Sequence, residues 1–211
     1  AAIMADNPEL IAAKLSGVPV LERSELLGIV TSWYKNAFCV AGTHGKTTTT
    51  SMLTQILFGS GLDISAFIGG KLPIINGSGR AGTSDIMTCE ACEFVDTFLK
   101  LYPDVSVILN IDADHLDYFK TVDNIIKSFN KFCNNTTKAI IYNGDDENTV
   151  KAVSSVSGKE KITFGLSEKN DFYPENITRI NGMTTEFDLI HKGEKLVRLT
   201  VSVPGEHNIL N

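Results

Sequence analysis

The sequence predicts an α/β fold: a mostly parallel, P-loop-type β-sheet flanked by helices, with a small antiparallel meander near the C-terminus. Short apolar runs alternate with helical patterns along most of the chain, as in proteins built on a parallel sheet. The run at 104–111 is almost continuously apolar, which is typical of a parallel strand covered on both faces. After Asn170 the pattern changes to three β-rich stretches, which are separated by Asn-Gly and Lys-Gly turn signals.

Two short helices are predicted before the sheet begins. Asp6 or Asn7 can cap a helix at 7–15, with Pro8 in its first turn. An extended piece at 18–20 follows, and Ser24 can cap a second helix that runs to about Trp33.

The alternation then predicts the elements of the sheet and its helices. Strands are expected at 37–41, 85–90, 104–111, 138–142 and 161–164, and in the meander at 172–180, 184–191 and 195–203. Helices are expected at 47–58, 121–132 and 147–154. In the first of these, Met52, Leu53, Ile56 and Leu57 share one helical face.

Composition limits the function classes. The 211 residues are 43% hydrophobic and 21% charged, and the net charge of −6 comes without any basic tract, so nucleic acid is not an expected partner. No apolar run is long enough to span a membrane. Cys89 and Cys92 form the single CxxC pattern, for which buried structural thiols are favoured over a metal or redox role. Reduced thiols are typical of a cytoplasmic protein, which is the expected location.

The strongest functional motif is Ala-Gly-Thr-His-Gly-Lys-Thr-Thr at 41–48, between a predicted strand and a predicted helix. Gly42 and Gly45 allow the backbone to turn its N–H groups toward an anion, and the helix N-terminus adds a partial positive charge. Lys46 can reach phosphates, and the Thr47 hydroxyl can bind Mg²⁺. Val40 replaces the first glycine of the general phosphate-loop pattern, so an ordinary strand-to-helix turn is the alternative. The predicted phosphate contacts are Gly42, Thr43, His44, Gly45, Lys46, Thr47 and Thr48.

Two acidic segments follow predicted strands. Glu90-Ala-Cys-Glu93 lies where ligands gather in open α/β sheets, and a carboxylate there can hold Mg²⁺; a solvated acidic turn is the alternative. The segment 110–117 begins with Asn110 and places His115 among three aspartates, so a second cation or the nucleotide is expected there, against a structural histidine.

The stretch 77–82 satisfies the GxGxxG pattern of dinucleotide-binding proteins. That function needs a strand before the glycines and a helix after them, whereas a proline-containing loop precedes this stretch and a strand-like run follows it. We interpret 77–82 as a flexible turn.

These motifs, in this order and spacing, resemble the Mur ligase family. The resemblance rests on the loop at 41–48, on the segments 90–93 and 110–115, and on Pro-Gly-Glu-His-Asn-Ile-Leu-Asn at 204–211. It implies that Lys46 neutralises the transferred phosphate, that Thr47 and Glu90 hold a first Mg²⁺, and that His115 holds a second. It also implies that Asn208 and Asn211 lie near the adenine of ATP, with Asn110 among the nucleotide contacts.

The resemblance is strongest to the alanine-adding branch of the family, whose members join L-alanine to UDP-N-acetylmuramate through an acyl phosphate in peptidoglycan synthesis. It divides the chain into the end of a nucleotide-sugar domain at 1–36, an ATP-binding domain at 37–203, and a segment at 204–211 that leads to a further domain. This division implies that the chain alone would bind nucleotide without completing ligation. Lys127 and Lys131 lie where related ligases carry a carbamylated lysine, but neither aligns cleanly, and no role is assigned to them.

Two alternatives stay open from the sequence. The related branch that recycles a tripeptide shares the phosphate loop, although the residues Glu-Ala-Cys-Glu at 90–93 favour the alanine-adding branch. The other alternative is a stand-alone nucleotide-binding or regulatory module with no ligase activity.

Overall fold

The computed structural model describes residues 3–211 and contains one ten-stranded sheet with helices packed against it. The strands are β1 Asn36–Ala41, β2 Ser65–Leu72, β3 Gly77–Arg80, β4 Ile86–Glu90, β5 Val105–Ile108, β6 Ala139–Asn143, β7 Glu160–Phe164, β8 Phe172–Asn181, β9 Thr184–His191 and β10 Glu194–Val201. The α-helices are α1 Pro8–Leu15, α2 Arg23–Thr31, α3 Lys46–Gly59, α4 Leu116–Phe119, α5 Val122–Asn135 and α6 Glu147–Ser154. Short 3₁₀ segments occupy Pro73–Ile75, Phe94–Lys100 and Glu206–Ile209.

The strand order is β10-β9-β8-β7-β6-β5-β1-β4-β2-β3. The pairings from β2 through β4, β1, β5, β6 and β7 to β8 are parallel, whereas β3 and the β8–β9–β10 meander pair antiparallel. The predicted fold class is therefore confirmed. The meander continues the parallel sheet, because Phe164 of β7 pairs with Phe172 of β8.

The main core lies where α5 and the segment Phe94–Lys100 meet the sheet. Phe98, Phe129 and Phe132 are at most 1% exposed. The ring of Phe98 stacks on Phe132 with centroids 4.7 Å apart, and it meets Phe129 edge-on at 5.1 Å. This cluster fixes the segment that follows β4.

Helix α3 is buried differently from the prediction. Its buried residues are Thr49, Thr50 and Thr54, whereas Ile56, from the predicted apolar face, is 68% exposed. Two of these threonines have partners for their hydroxyls: Thr50 donates to the Lys46 carbonyl at 2.8 Å, and Thr54 donates to the Thr50 carbonyl and lies 2.7 Å from the Thr88 hydroxyl of β4. The buried Thr49 hydroxyl has no hydrogen-bond partner among the described residues.

The N-terminal helices follow the predicted positions with one correction. Asn7 caps α1, since its side chain accepts from the amides of Glu9 and Leu10. The N-cap of α2 is Glu22 and not Ser24, because the Glu25 carboxylate accepts from the Glu22 amide at 2.9 Å and starts the helix two residues earlier. The piece at 18–20 belongs to no strand.

Strands β2 and β3 are not predicted from the sequence. β2 contains Gly69 and Gly70, and β3 consists mainly of glycine and serine, so neither shows the apolar alternation of a strand. The interpretation of 77–82 as a flexible turn is wrong for Gly77–Arg80, which forms the edge strand. Backbone pairing with β2 orders this stretch without any apolar side chains.

Asp188 of β9 links the three strands of the meander through its side chain. It is 5% exposed, and its carboxylate contacts Lys195 Nζ at 2.8 Å, the Asn176 amide at 2.9 Å and Arg198 Nη1 at 3.0 Å. These contacts, that of Lys195 foremost, hold the pKa of Asp188 well below its usual range.

We expect Asp188→Asn to lower the free energy of unfolding at pH 7. The folded-state pKa is depressed, so the carboxylate stabilises the fold above the unfolded pKa of about 3.9, and this contribution fades as the pH falls further. Urea unfolding of both proteins should show a stability difference that is constant near neutrality and shrinks below about pH 4. A difference that stays constant down to pH 2.5, about 1.5 units below that pKa, would contradict this role of the carboxylate.

Candidate functional site

Three polar segments meet at one edge of the sheet. β1 lies between β4 and β5, and all three strands are parallel, so the segments that follow them leave the sheet side by side. The loop 42–45 follows β1, Glu93 follows β4, and Asn110 follows β5. The three motifs singled out in the sequence are therefore neighbours in the structure.

The loop enters α3 through Gly45, which has a φ of 84°. This left-handed conformation suits glycine, and a Cβ there would lie 2.3 Å from Asn211 Oδ1. Among the described residues, the amides of Gly45, Lys46, Thr47 and Thr48 have no hydrogen-bond acceptor. Four free N–H groups at a helix start, together with its partial positive charge, can accept an anion.

The other side of the loop is held by Asn110. The amides of Thr43 and His44 donate to the Asn110 carbonyl and side-chain oxygens at 3.0 and 2.8 Å, and Asn110 Nδ2 donates back to the His44 carbonyl at 3.1 Å. The Asp112 amide donates to Thr43 Oγ1 at 2.9 Å. The side-chain amide of Asn110, a predicted nucleotide contact, holds the loop in place. Two amides of the expected anion cradle are thus used within the protein.

Lys46 folds back over its own loop. Its ammonium donates to the carbonyls of Gly42 at 2.6 Å and Thr43 at 3.1 Å, and to Glu93 Oε1 at 3.2 Å. Glu93 Oε2 lies 3.0 Å from the same nitrogen but accepts no hydrogen bond, so this second contact is an ion pair only. This pair could not be predicted from the sequence, in which Glu93 is only a second acid after Glu90.

Glu90 ends β4 and faces β2. Its Oε2 accepts from the Gly69 amide at 2.7 Å, and a Cβ on Gly69 would lie 2.7 Å from both carboxylate oxygens. The Thr47 methyl approaches Gly70, where an added Cβ would be 3.2 Å away. Adjacent glycines of β2 therefore leave room for these two predicted metal ligands, which explains why β2 has no side chains there.

His115 caps the short helix α4 with a left-handed φ of 51°. Its ring is 4.8 Å from the ring of Phe94, and its Nδ1 lies 3.8 Å from Asp114 Oδ1. Phe94 follows Glu93 directly, so one segment contacts both Lys46 and His115. Among residues 3–211, no group of three or more His, Cys, Asp or Glu side chains is arranged to hold a metal by itself.

A cavity of about 300 Å³ adjoins the loop. Its walls include His44, Asn143, His207 and Asn211. Asn208, which was also expected near the adenine, is 4% exposed and lies behind this wall, where it donates to the Pro204 carbonyl and accepts from Asn211. It therefore positions Asn211.

A second cleft, of about 390 Å³, lies between α2, β2 and the segment after β4. Arg23, Gly69, Glu90, Cys92 and Thr97 are among the residues that line it. A positive side chain thus shares a cleft with the predicted metal ligand Glu90. Of the two thiols of the CxxC, Cys89 is buried as predicted, whereas Cys92 is partly exposed; all four cysteines are free thiols.

The parallel sheet and the strand–loop–helix site define an α/β protein of the phosphate-binding class. Residues 40–211 match the family model described as the Mur ligase middle domain, and the chain belongs to the Mur ligase family.

Curated relatives agree with this assignment. The chain is 41% identical over its whole length to UDP-N-acetylmuramate–L-alanine ligase of Caldanaerobacter subterraneus subsp. tengcongensis, and 45% identical to that of Caldicellulosiruptor saccharolyticus. It spans 46% and 47% of these two proteins, which is less than half of their length.

Solved structures show the same fold. UDP-N-acetylmuramate-alanine ligase from Thermotoga maritima matches 99% of this chain and 47% of its own with a TM-score of 0.84 at 27% identity. A UDP-N-acetylmuramate:L-alanyl-γ-D-glutamyl-meso-diaminopimelate ligase from Neisseria meningitides matches with a TM-score of 0.82 at 23% identity, covering 99% of this chain and 68% of its own, which is a likeness of fold alone. Within residues 3–211, every helix is too short or too polar to cross a bilayer.

Proposed function

We propose that this chain is the ATP-binding part of a cytoplasmic ligase that joins L-alanine to UDP-N-acetylmuramate. The observation that carries the proposal is the identity of 41–45% to ligases of that name over the whole chain, which includes every element of the site. The recycling branch is similar in fold: its solved structure matches at 23% identity, against 27% for the alanine-adding ligase from Thermotoga maritima, so the curated relatives carry the choice of branch. A stand-alone module has no specific observation in its favour.

The loop fits a polyphosphate. The free amides of Gly45 to Thr48 supply fixed donors, and the Lys46 ammonium lies over the same turn. The cavity beside the loop is within the usual size of ligand sites, and the amide of Asn211 on its wall can hydrogen-bond a base. In this proposal the base would lie in the cavity and the phosphates would lie on the loop amides.

Mg²⁺ fits the same site. Magnesium in nucleotide enzymes is usually held by one or two protein oxygens together with phosphates, so Thr47 and Glu90 are sufficient protein ligands for a first ion. His115 is the proposed contact of a second. Bound metal would neutralise charge as phosphate passes to the substrate carboxylate.

The chain's own residues would orient that transfer. Lys46 would neutralise the transferred phosphate, and the loop amides would fix its position. The cleft that contains Arg23 and Glu90 is proposed to receive the carboxylate end of the acid substrate. Activation of the carboxylate as an acyl phosphate would let the amine of L-alanine attack and displace phosphate.

A chimeric enzyme tests the proposal. This chain would replace the matching segment of the Caldicellulosiruptor saccharolyticus ligase, and the product of UDP-N-acetylmuramate and L-alanine would be measured by mass spectrometry. We expect ATP-dependent product. A chimera that folds and binds ATP but forms product with neither L-alanine nor any other amine would contradict the ligase function.

Glu90→Ala should weaken nucleotide binding more in the presence of Mg²⁺ than in its absence, because a metal ligand acts only when the metal is bound. We expect a loss of about ten-fold with Mg²⁺ and less than about two-fold in EDTA. Calorimetric titration of this chain with ATP in both conditions measures the effect. Equal losses in the two conditions would show that Glu90 does not act as a metal ligand.

A further inference from the structure

We propose that Glu93 is a positioning residue that keeps Lys46 in a closed arrangement, so that a phosphate ligand binds only after the lysine has been released from this carboxylate. The inference rests on the proposed nucleotide function and gives a role to Glu93, to which the family resemblance assigns none. Its basis is the geometry of the Lys46 ammonium and of the turn that carries Glu93.

Every hydrogen of the Lys46 ammonium is already used. The group has three N–H bonds, and they point to three acceptors: the carbonyls of Gly42 and Thr43 and Oε1 of Glu93. The side chain is only 14% exposed. A phosphate on the neighbouring loop amides can therefore gain a hydrogen bond from Lys46 only if one of these acceptors is lost.

Glu93 is the acceptor that a phosphate would replace. The two carbonyls belong to the loop itself, whereas Glu93 approaches from the turn after β4 and brings a full negative charge. A second anion at the same ammonium competes directly with this charge. Exchange of one anion for another keeps the lysine paired in both states.

Glu93 itself cannot easily follow the lysine or turn to solvent. Its side chain is 3% exposed, and the turn is closed by bonds from the Asp96 amide to the Glu93 carbonyl and from the Phe98 amide and Thr97 hydroxyl to the Cys92 carbonyl. Phe98 is anchored in the aromatic core. The lysine, with its long flexible stem, is the partner that moves.

The closed pair lowers the apparent affinity of the loop. When binding requires a state that is only partly populated, the measured affinity falls by that fraction. Glu93→Gln keeps the shape and an acceptor oxygen but removes the competing charge. We therefore expect this variant to bind Mg²⁺-free ATP about ten-fold more tightly than the wild type.

Stability should change in the opposite direction. The variant leaves a mostly buried ammonium without its counter-ion, so the free energy of unfolding should fall. A Glu93 that merely supported the loop would lower stability and affinity together. Tighter binding in a less stable protein is the signature of the proposed role.

The test is calorimetry with ATP in EDTA on this 211-residue chain, as wild type, Glu93→Gln and Glu160→Gln. Glu160 is exposed at the start of β7, the opposite end of the strands from the loop, and its variant loses the same charge. We expect the Glu160 variant to stay within about two-fold of the wild type. Equal or weaker binding by Glu93→Gln would overturn the inference alone. Absence of binding by all three proteins would overturn the proposed function and the inference with it.

A second measurement needs no variant. In a crystal structure of the wild type with ADP, we expect Lys46 Nζ to have moved more than about 4 Å from both Glu93 oxygens, beyond ion-pair range. A bound nucleotide with the Lys46–Glu93 contacts still at their present 3.0 and 3.2 Å would overturn the inference while leaving the nucleotide function intact.

Discussion

Lys46→Ala is expected to weaken ATP binding by about ten- to a hundred-fold, the effect of losing one charge-assisted hydrogen bond to phosphate. The ammonium lies over the loop whose amides from Gly45 to Thr48 are free, and it is the only lysine or arginine side chain with a described contact to that loop. Calorimetric titration of this chain with Mg·ATP measures the loss.

The single variant also leaves Glu93 buried without a cation, which destabilises the fold by about 3–5 kcal/mol. The double variant Lys46→Ala, Glu93→Gln removes both charges, and its comparison with Glu93→Gln alone isolates the contact between lysine and phosphate. Lys151→Ala, on the exposed side of α6, is the charge-matched control and should bind normally. Unchanged affinity in the double variant would show that Lys46 does not contact the nucleotide.

Phe98→Ala should lower the free energy of unfolding by about 3–5 kcal/mol, the range for a buried aromatic side chain that leaves a cavity. Phe98 is 1% exposed and contacts the rings of Phe129 and Phe132. Urea unfolding followed by circular dichroism gives the stability.

Phe94→Ala is the matched control, since it removes the same side chain four residues earlier from a site that is 40% exposed. Its loss should be about 1 kcal/mol, mainly from the ring contact with His115. Equal losses in the two variants would contradict the view that the stacked aromatic cluster holds this segment.

Most of the strands and helices could be predicted along the chain because their signals were local. The apolar run in β5 and the glycine turn before α3 each reflect a rule that acts within a few residues. Strand β2 could not be predicted because its glycines interrupt the apolar pattern of a strand. Gly69 is needed there to leave space for Glu90, which belongs to the neighbouring strand β4.

The candidate site was predictable in its residues and less so in their contacts. Lys46, Glu90 and the loop were singled out from the motif, and the structure brings their segments to one edge of the sheet. Two contacts depend on the strand order. Lys46 pairs with Glu93, which is 47 residues away, and His44 is hydrogen-bonded to Asn110, which is 66 residues away. No local pattern encodes that order.

The direct test of the phosphate loop is a nitrogen-15 NMR titration of this chain with Mg·ADP. We expect the largest shifts at the amides of Gly45, Lys46, Thr47 and Thr48, and smaller ones at Thr43 and His44, whose N–H groups stay on Asn110. Saturable binding of ADP that leaves the four free amides unshifted, or no binding at millimolar nucleotide, would contradict the account.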